Sequence, residues 1–211
     1  MRYILYSMKF INKYFPHILL IGYLILFVYL GINPYARDVW YVENGPIFGI
    51  ALLLTIAFIR GRRFSNMSYL LMSVLLFMHT IGGHFTFERV PFEWFNNLFG
   101  FERNMYDRVA HFAVGFYAFP LAEYLIETKL VARKWIGYLA GLTFIMAVAA
   151  SYEIFEWWYA VTYGGNAGVA FLGSQGDIWD AQKDMLMDTL GGVFSLVIYS
   201  LRDLSREQFS V

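Results

Sequence analysis

The sequence WIGYLAGLTFIMAVAASY occupies residues 135–152 and contains no charged side chain. A transmembrane α-helix needs about 20 predominantly apolar residues to cross the hydrocarbon core of a bilayer. The run reaches that length when it continues to Phe155, with Glu153 close to its end. Residues 135–155 therefore predict a membrane-spanning helix with an acidic side chain near its C-terminus.

Further apolar runs of similar length predict additional spans. Four of them cover residues 15–31, 67–83, 109–126 and 184–201. A shorter run at 46–59 spans a bilayer only if its helix begins near Tyr41, which places Glu43 in the first turn. The alternative for that run is a helix lying in the membrane interface. We therefore predict an all-α protein, a single integral membrane domain over residues 1–211 built as a six-helix bundle.

Composition supports a membrane protein and excludes several other classes. Hydrophobic residues make up 59% of the chain and charged residues 15%, against about 45–50% and 25% in soluble domains. The 16 basic and 16 acidic residues cancel, so no net positive field favours binding to nucleic acid. The sequence has no cysteine, which excludes disulfides, zinc fingers, iron–sulfur ligation and thiol catalysis.

Basic residues are distributed unevenly between the two sides of the predicted bundle. With the amino terminus in the cytoplasm, the cytoplasmic segments contain 11 Lys and Arg residues and the external segments contain five. Short cytoplasmic loops are enriched in these residues, so the count predicts six spans with both termini cytoplasmic. No small-residue cleavage site follows the first apolar run, which we expect to remain as a membrane anchor.

Most of the remaining ionisable residues fall at one membrane level. The third to sixth helices alternate in direction across the membrane. The outer side therefore contains the ends of the third and fifth helices and the starts of the fourth and sixth. The acids and histidines at these ends are His79, His84, Asp107, His111, Glu153, Glu156, Asp177, Asp180, Asp184 and Asp188. This convergence predicts a polar site near the outer face.

Helical spacing places members of this set on common faces. Asp107 and His111 lie about 40° apart at 100° per residue. The four aspartates of the last helix lie within about 80° if that helix extends back to Asp177. The two histidines of the third helix are five residues apart and do not share a face, and Gly82-Gly83 is expected to end or bend the helix between them.

Carboxylates and imidazoles in this arrangement favour a divalent-metal site. The candidate ligands for Zn, Mn or Fe are His79, His84, Asp107, His111, Asp180 and Asp184. The candidates for a general acid or base are Glu153 and Glu156, and the other polar site residues are Asp177, Gln182, Asp188 and Arg108. Two alternatives stay open, because Asp107 can simply cap its helix and the two glutamates can be interfacial acids.

Some residues outside this site receive structural interpretations. We expect Gly115, Gly191 and Gly192 to permit close helix packing. Glu123, near the inner end of the fourth span, is expected to snorkel to the interface or to pair with Lys129. The glycine-rich segment 161–176 is expected to be a flexible connection, with a mobile lid or re-entrant segment as the alternative.

Four motifs resemble those of the YjdF-like family of bacterial inner-membrane proteins. They are HTIGGH at 79–84, YDRxxHF at 106–112, YExxEW at 152–157 and GDxWDxQxDM at 176–185. The resemblance covers nearly the whole chain, and its last motif is also distantly similar to the signature of VanZ-like membrane proteins. It implies a multi-span protein of the bacterial plasma membrane and implies no particular reaction.

These observations together suggest a metal-dependent hydrolase that acts on a lipid or lipid-linked substrate at the outer leaflet. The predicted surroundings are membrane lipids, with no nucleic-acid partner. One alternative is a proton- or ion-coupled transporter, which is weakened because the inner halves of the helices are almost purely apolar. Another is a structural or assembly subunit whose polar cluster only holds the bundle together.

Overall fold

The computed structural model describes residues 2–208, with the side chains of 12–165, 168 and 171–205. Within residues 2–208 all regular structure is helical, which confirms the predicted all-α class. The helices are α1 (Arg2–Leu30), α2 (Arg37–Ile59), α3 (Asn66–Phe85), α4 (Glu93–Phe99), α5 (Tyr106–Val114), α6 (Ala118–Glu127), α7 (Lys134–Tyr163), α8 (Gly165–Leu172) and α9 (Asp180–Gln208).

Six segments of the described chain are long and apolar enough to cross a membrane, as predicted. Five of them belong to α1, α2, α3, α7 and α9. The sixth is Tyr106–Glu127, in which the 3₁₀ turn Gly115–Tyr117 joins α5 to α6. The second span begins at Arg37, ahead of the expected Tyr41, and its 23 residues favour a spanning helix over an interfacial one.

The surface of the bundle is suited to lipid. Large hydrophobic side chains are exposed along several spans, with Ile25, Leu53 and Val197 each more than half exposed. Inside, α3 packs against α1, α2 and α5, whereas α9 packs against α5, α6 and α7. Segment 161–176 contains α8, which packs on α7 and α2. Helices that are apolar on both inner and outer faces are typical of a membrane-embedded bundle.

The close packing predicted at Gly115 and Gly191 is confirmed where α5 crosses α9, whereas a Cβ on Gly192 would lie 3.3 Å from a methyl group of Leu142 on α7. A Cβ added to Gly191 would lie 1.9 Å from the carbonyl oxygen of Phe112. A Cβ added to Gly115 would lie 2.2 Å from the backbone nitrogen of Gly192. Only glycine allows two backbones to approach this closely. The crossing therefore sets the aspartates of α9 beside the first turns of α5.

The expected end of the helix at Gly82-Gly83 is wrong, because α3 continues as a helix to Phe85. These glycines serve contacts with other segments. A Cβ on Gly83 would lie 2.4 Å from Nδ2 of Asn44 on α2, and a Cβ on Gly82 would lie 2.5 Å from the Phe87 ring. The missing side chains thus let α2 and the turn after α3 pack directly against α3.

A cluster of buried hydrogen bonds and an ion pair lies at the end of the bundle where α6 and α9 end. One carboxylate oxygen of Glu123 accepts a hydrogen bond from Nη1 of Arg202 at 2.8 Å. The other accepts from Oγ of Ser68 at 2.6 Å and from the backbone N–H of Ser65 at 3.1 Å. The expected snorkelling or pairing with Lys129 is therefore wrong, since Glu123 is 2% exposed and bound to Arg202.

Candidate functional site

His111 lies at the centre of the ionisable cluster predicted from the sequence. Its Nε2 is 3.7 Å from Oδ1 of Asp107 and 3.8 Å from Oδ1 of Asp184. Its Nδ1 is 3.3 Å from both carboxylate oxygens of Asp188. The two ring nitrogens of His111 therefore face different acids, one nitrogen toward a pair of aspartates and the other toward a single aspartate.

Three of these groups have the geometry of a metal-ligand set. One ligand atom each from Asp107, His111 and Asp184 can be chosen so that all three lie within 4.8 Å of one another. Two atoms bound to one ion at about 2.0–2.2 Å are at most about 4.4 Å apart, and both distances from Nε2 of His111 meet that limit. Mixed carboxylate and imidazole donors suit Zn, Mn or Fe.

Several buried polar atoms near this end of the bundle carry no hydrogen bond within the described part of the chain. Oε1 of Glu153 and Nδ1 of His79 are among them. Leaving a buried polar group unpaired costs roughly 1–3 kcal/mol. Water or a ligand at the site would remove that cost, so both atoms are consistent with a cluster that binds water or a ligand.

An arginine network neutralises the aspartates at the start of α9. Arg108, itself 3% exposed, contacts Asp184 and places Nη2 2.6 Å from Oδ1 of Asp180. Nη1 of Arg103 lies 2.7 Å from the same oxygen of Asp180. Asp180 was a predicted metal ligand, and here its carboxylate is engaged by two arginines. Its metal-ligand role stays a prediction, and it is absent from the three-residue set.

Asp177 completes this network from the loop before α9. Its Oδ2 lies 3.3 Å from Nη2 of Arg108 and accepts a hydrogen bond from Nζ of Lys183 at 2.6 Å. The Lys183 ammonium, helped by the backbone N–H of Trp179, lowers the pKa of Asp177 to about 2. Asp177 is therefore ionised at neutral pH. Because α9 begins at Asp180, Asp177 reaches the arginines from the loop and not from the helix.

Glu43 of α2 belongs to the site, although it was not among the site residues predicted from the sequence. Its Oε2 lies 3.6 Å from Nε2 of His79 and accepts a hydrogen bond from the hydroxyl of Tyr152 at 3.2 Å. The side chain is almost fully buried. The signal that could have found it was its position inside an otherwise apolar span, where an acid is costly unless it has partners.

Two predicted residues lie away from the cluster. Nδ1 of His84 is 2.7 Å from the carbonyl oxygen of Leu30, at the end of α1. Gln182 is exposed on α9, and no hydrogen bond or ion pair joins it to the cluster among the described residues. His84 therefore ties α3 to α1. The five-residue spacing from His79 explains the result, since a straight helix points the two rings in different directions.

A cavity of about 210 Å³ opens beside these groups. Its polar wall consists of Glu43, His79, Asp107, His111, Tyr152, Glu156 and Asp188. Of the two predicted acid–base candidates, Glu156 therefore lines the cavity. Residues 171–173, at the end of α8, line one side of the cavity. The loops around the site are joined by two hydrogen bonds, in which the Gln175 amide pairs with the backbone N–H and carbonyl of Asn104.

The fold and this cluster define a class of protein: an integral, multi-pass membrane protein with an ionisable cavity inside its bundle. A model of the family described as "Predicted membrane protein (DUF2238)" matches residues 15–204. The chain belongs to that family. It is 33% identical over 184 residues to the inner membrane protein YjdF of Escherichia coli strain K12, covering 82% of this chain and 83% of that protein.

These matches confirm the YjdF-like resemblance and the localisation. No solved structure matches the chain significantly. The distant similarity of the last motif to VanZ-like proteins stays a prediction.

Proposed function

We propose that the protein is a metal-dependent enzyme of the plasma membrane in which Asp107, His111 and Asp184 hold one divalent ion, Zn, Mn or Fe. The observation that carries this proposal is the placement of Asp188 on Nδ1 of His111. Histidines that bind a metal through one nitrogen usually donate the other N–H to a carboxylate or carbonyl. Asp188 occupies that position, and Nε2 faces the two remaining carboxylates.

The residues around the ligand set suit hydrolysis. A divalent ion would supply Lewis acidity and activate water at this site. Glu156 lines the cavity, and Glu153 has a buried oxygen without a described partner, so each is a candidate general acid or base. Arg108 is engaged by three aspartates, which favours a neutralising role for it over direct binding of an anionic head group.

The proposed substrate is a lipid or lipid-linked molecule at the outer leaflet. Its outer location rests on the distribution of 11 and five basic residues between the two sides, under the positive-inside rule. An amphiphile in that leaflet would present its head group at the level where α3 and α7 end and α5 and α9 begin.

Metal content of the purified protein tests the proposal directly. We expect about one Zn, Mn or Fe per chain by elemental analysis, and loss of that metal in His111→Ala and Asp184→Asn. Asp203→Asn is the matched control, because Asp203 pairs with Lys134 at the opposite end of α9. Wild-type protein that stays folded and functional without metal would exclude this function.

The acid–base role has its own experiment. A deletion strain complemented with wild type should restore a changed lipid, whereas Glu153→Gln or Glu156→Gln should fail while remaining folded and metal-loaded. Full complementation by both variants would exclude both residues as the acid or base. If the deletion changes the amount of no membrane lipid, the lipid-enzyme proposal is rejected. An assembly role or a proton- or ion-coupled transporter would then replace it.

A structural role is the second candidate, and one observation favours it. Arg103, Arg108 and Lys183 balance Asp177, Asp180 and Asp184 in one network. Such a network could serve only to fix the start of α9 and its loop against α5. That role predicts that Asp184→Asn lowers the yield of folded protein, while the enzyme proposal predicts folded protein without metal.

A further inference from the structure

The cavity beside the site changes character along its length. One wall carries the ionisable groups described above. The remainder is apolar and includes Pro46, Ile47, Leu75, Val148, Ala149 and Phe171. Its volume of about 210 Å³ exceeds the ~150 Å³ of an apolar protein cavity that admits benzene. A cavity with this division suits one molecule that has a polar end and a hydrocarbon end.

The apolar part reaches the outer surface of the bundle between α2 and α7. Pro46 on α2 and Val148 on α7 both line the cavity and are both exposed. At a rise of 1.5 Å per residue, Pro46 lies about 14 Å from the start of α2 and Val148 about 21 Å from the start of α7. Both positions are within spans whose hydrocarbon surroundings are about 30 Å thick.

The packing of the described helices leaves this opening uncovered. Helix α2 packs on α3 and α8, and α7 packs on α6, α8 and α9. Helices α2 and α7 approach each other nearer the site end. They do so through the hydrogen bond from the Tyr152 hydroxyl to Glu43 and through a cluster of Val39, Tyr159 and Phe171. Farther along α2, a Cβ placed on Gly45 or Gly49 would have no atom of another described helix within 4 Å.

We propose that the apolar part of the cavity binds the hydrocarbon chain of a membrane lipid or lipid-linked molecule, which enters sideways from the bilayer between α2 and α7. Hydrocarbon is the medium that surrounds Pro46 and Val148 at their depth, so a lipid chain is the occupant available there. The head group then lies beside Glu43, His79 and His111. The chemistry at the head group rests on the proposed function, whereas binding of the chain requires no metal.

Photo-crosslinking tests the lateral entry. The full-length protein is placed in bilayers of phosphatidylethanolamine and phosphatidylglycerol that contain a phospholipid with a diazirine on its acyl chain. We expect crosslinks at the buried cavity residues Ile47 and Leu75. Val148→Trp, which covers the opening from its exposed rim, should remove them. Ala147→Trp is the matched control, since Ala147 is exposed on the same helix and does not line the cavity.

A second variant fills the cavity from within. Ala149 is 2% exposed and lines the apolar wall, so Ala149→Trp should also remove the crosslinks at Ile47 and Leu75. Crosslinks that persist in folded Val148→Trp, or that map only to the outer surface of wild type, would overturn the inference. Metal content is measured in parallel. If the protein is metal-free but crosslinks in the cavity, the enzyme proposal is rejected and the lipid site stands. If the protein is metal-loaded but does not crosslink in the cavity, the lipid site is rejected and the enzyme proposal stands.

Discussion

His111 and Asp188 face each other where α5 crosses α9, with Nδ1 of the imidazole 3.3 Å from each oxygen of the carboxylate. Asp188 is 1% exposed and Asp184 is 2% exposed, one turn apart on the same helix. Asp188 is therefore placed to orient the imidazole ring through Nδ1, and Asp184 faces Nε2. This division of roles gives the first prediction.

We expect Asp188→Asn to weaken divalent-metal binding without removing the ligand set. The amide keeps the size of the carboxylate but lacks its charge, and loss of such an orienting partner typically costs about 10- to 100-fold in metal affinity. Competition with a chromogenic chelator measures the effect on purified protein. Asp203→Asn controls for the change in charge. Equal affinities of Asp188→Asn and wild type would contradict the assigned role.

Gly191→Ala should destabilise the bundle. Its Cβ would lie 1.9 Å from the carbonyl oxygen of Phe112, so α5 and α9 must separate. Overpacking of this kind costs about 1–3 kcal/mol, occasionally more. Thermal unfolding in detergent measures the loss. Gly45→Ala, on α2 with open space beside it, is the control and should be neutral or slightly stabilising. An unchanged midpoint for Gly191→Ala would show that the crossing adjusts freely.

Glu123→Gln should destabilise the opposite end of the bundle. The substitution leaves Arg202 without its carboxylate, and removal of one partner of a buried ion pair costs about 3–5 kcal/mol. We expect a value near the lower end, about 3 kcal/mol, because the Arg202 side chain is 23% exposed. A double-mutant cycle with Arg202→Met in the free energy of unfolding isolates the pair. Additive effects of the two substitutions would mean that no coupling exists.

Both termini are expected on the cytoplasmic side of the membrane. Reporter fusions after Lys13, Phe64 and Ala132 should give a cytoplasmic signal, and a fusion after Asn97 in α4 should give an external one. The physical reason is the enrichment of Lys and Arg in short cytoplasmic segments. An external signal after Phe64 would reverse the assignment and place the site on the inner face.

The spans and the meeting point of the ionisable residues were predictable from the sequence because each depends on simple rules. Span length follows from bilayer thickness, and alternation of direction brings the ends of α3 and α7 level with the starts of α5 and α9. The glycine crossing was predictable for a similar reason, since small residues in apolar helices favour close contact.

Partner choice within the cluster was not predictable. Arg103 and Arg108 were two basic residues among many acids, and their preference for Asp180 depends on how the loop before α9 is placed. Glu43 was missed because α2 begins earlier than its apolar run suggests. Glu123 and Arg202 are 79 positions apart, and no local spacing relates them.

The network around Asp180 and the Glu123–Arg202 pair lie near opposite ends of α9. Asp180 and Arg202 are separated by about 33 Å along the helix, and each is held by residues of other helices. Tilting or sliding of α9 would break one of these ion-pair networks, so we expect α9 to keep its position in the bundle. Among the described residues, α2 makes no ion pair with another helix at the level of Pro46. We therefore expect the cavity to widen for a bulky molecule by outward movement of α2, while α9, which contributes Asp188 to the cavity wall, stays in place.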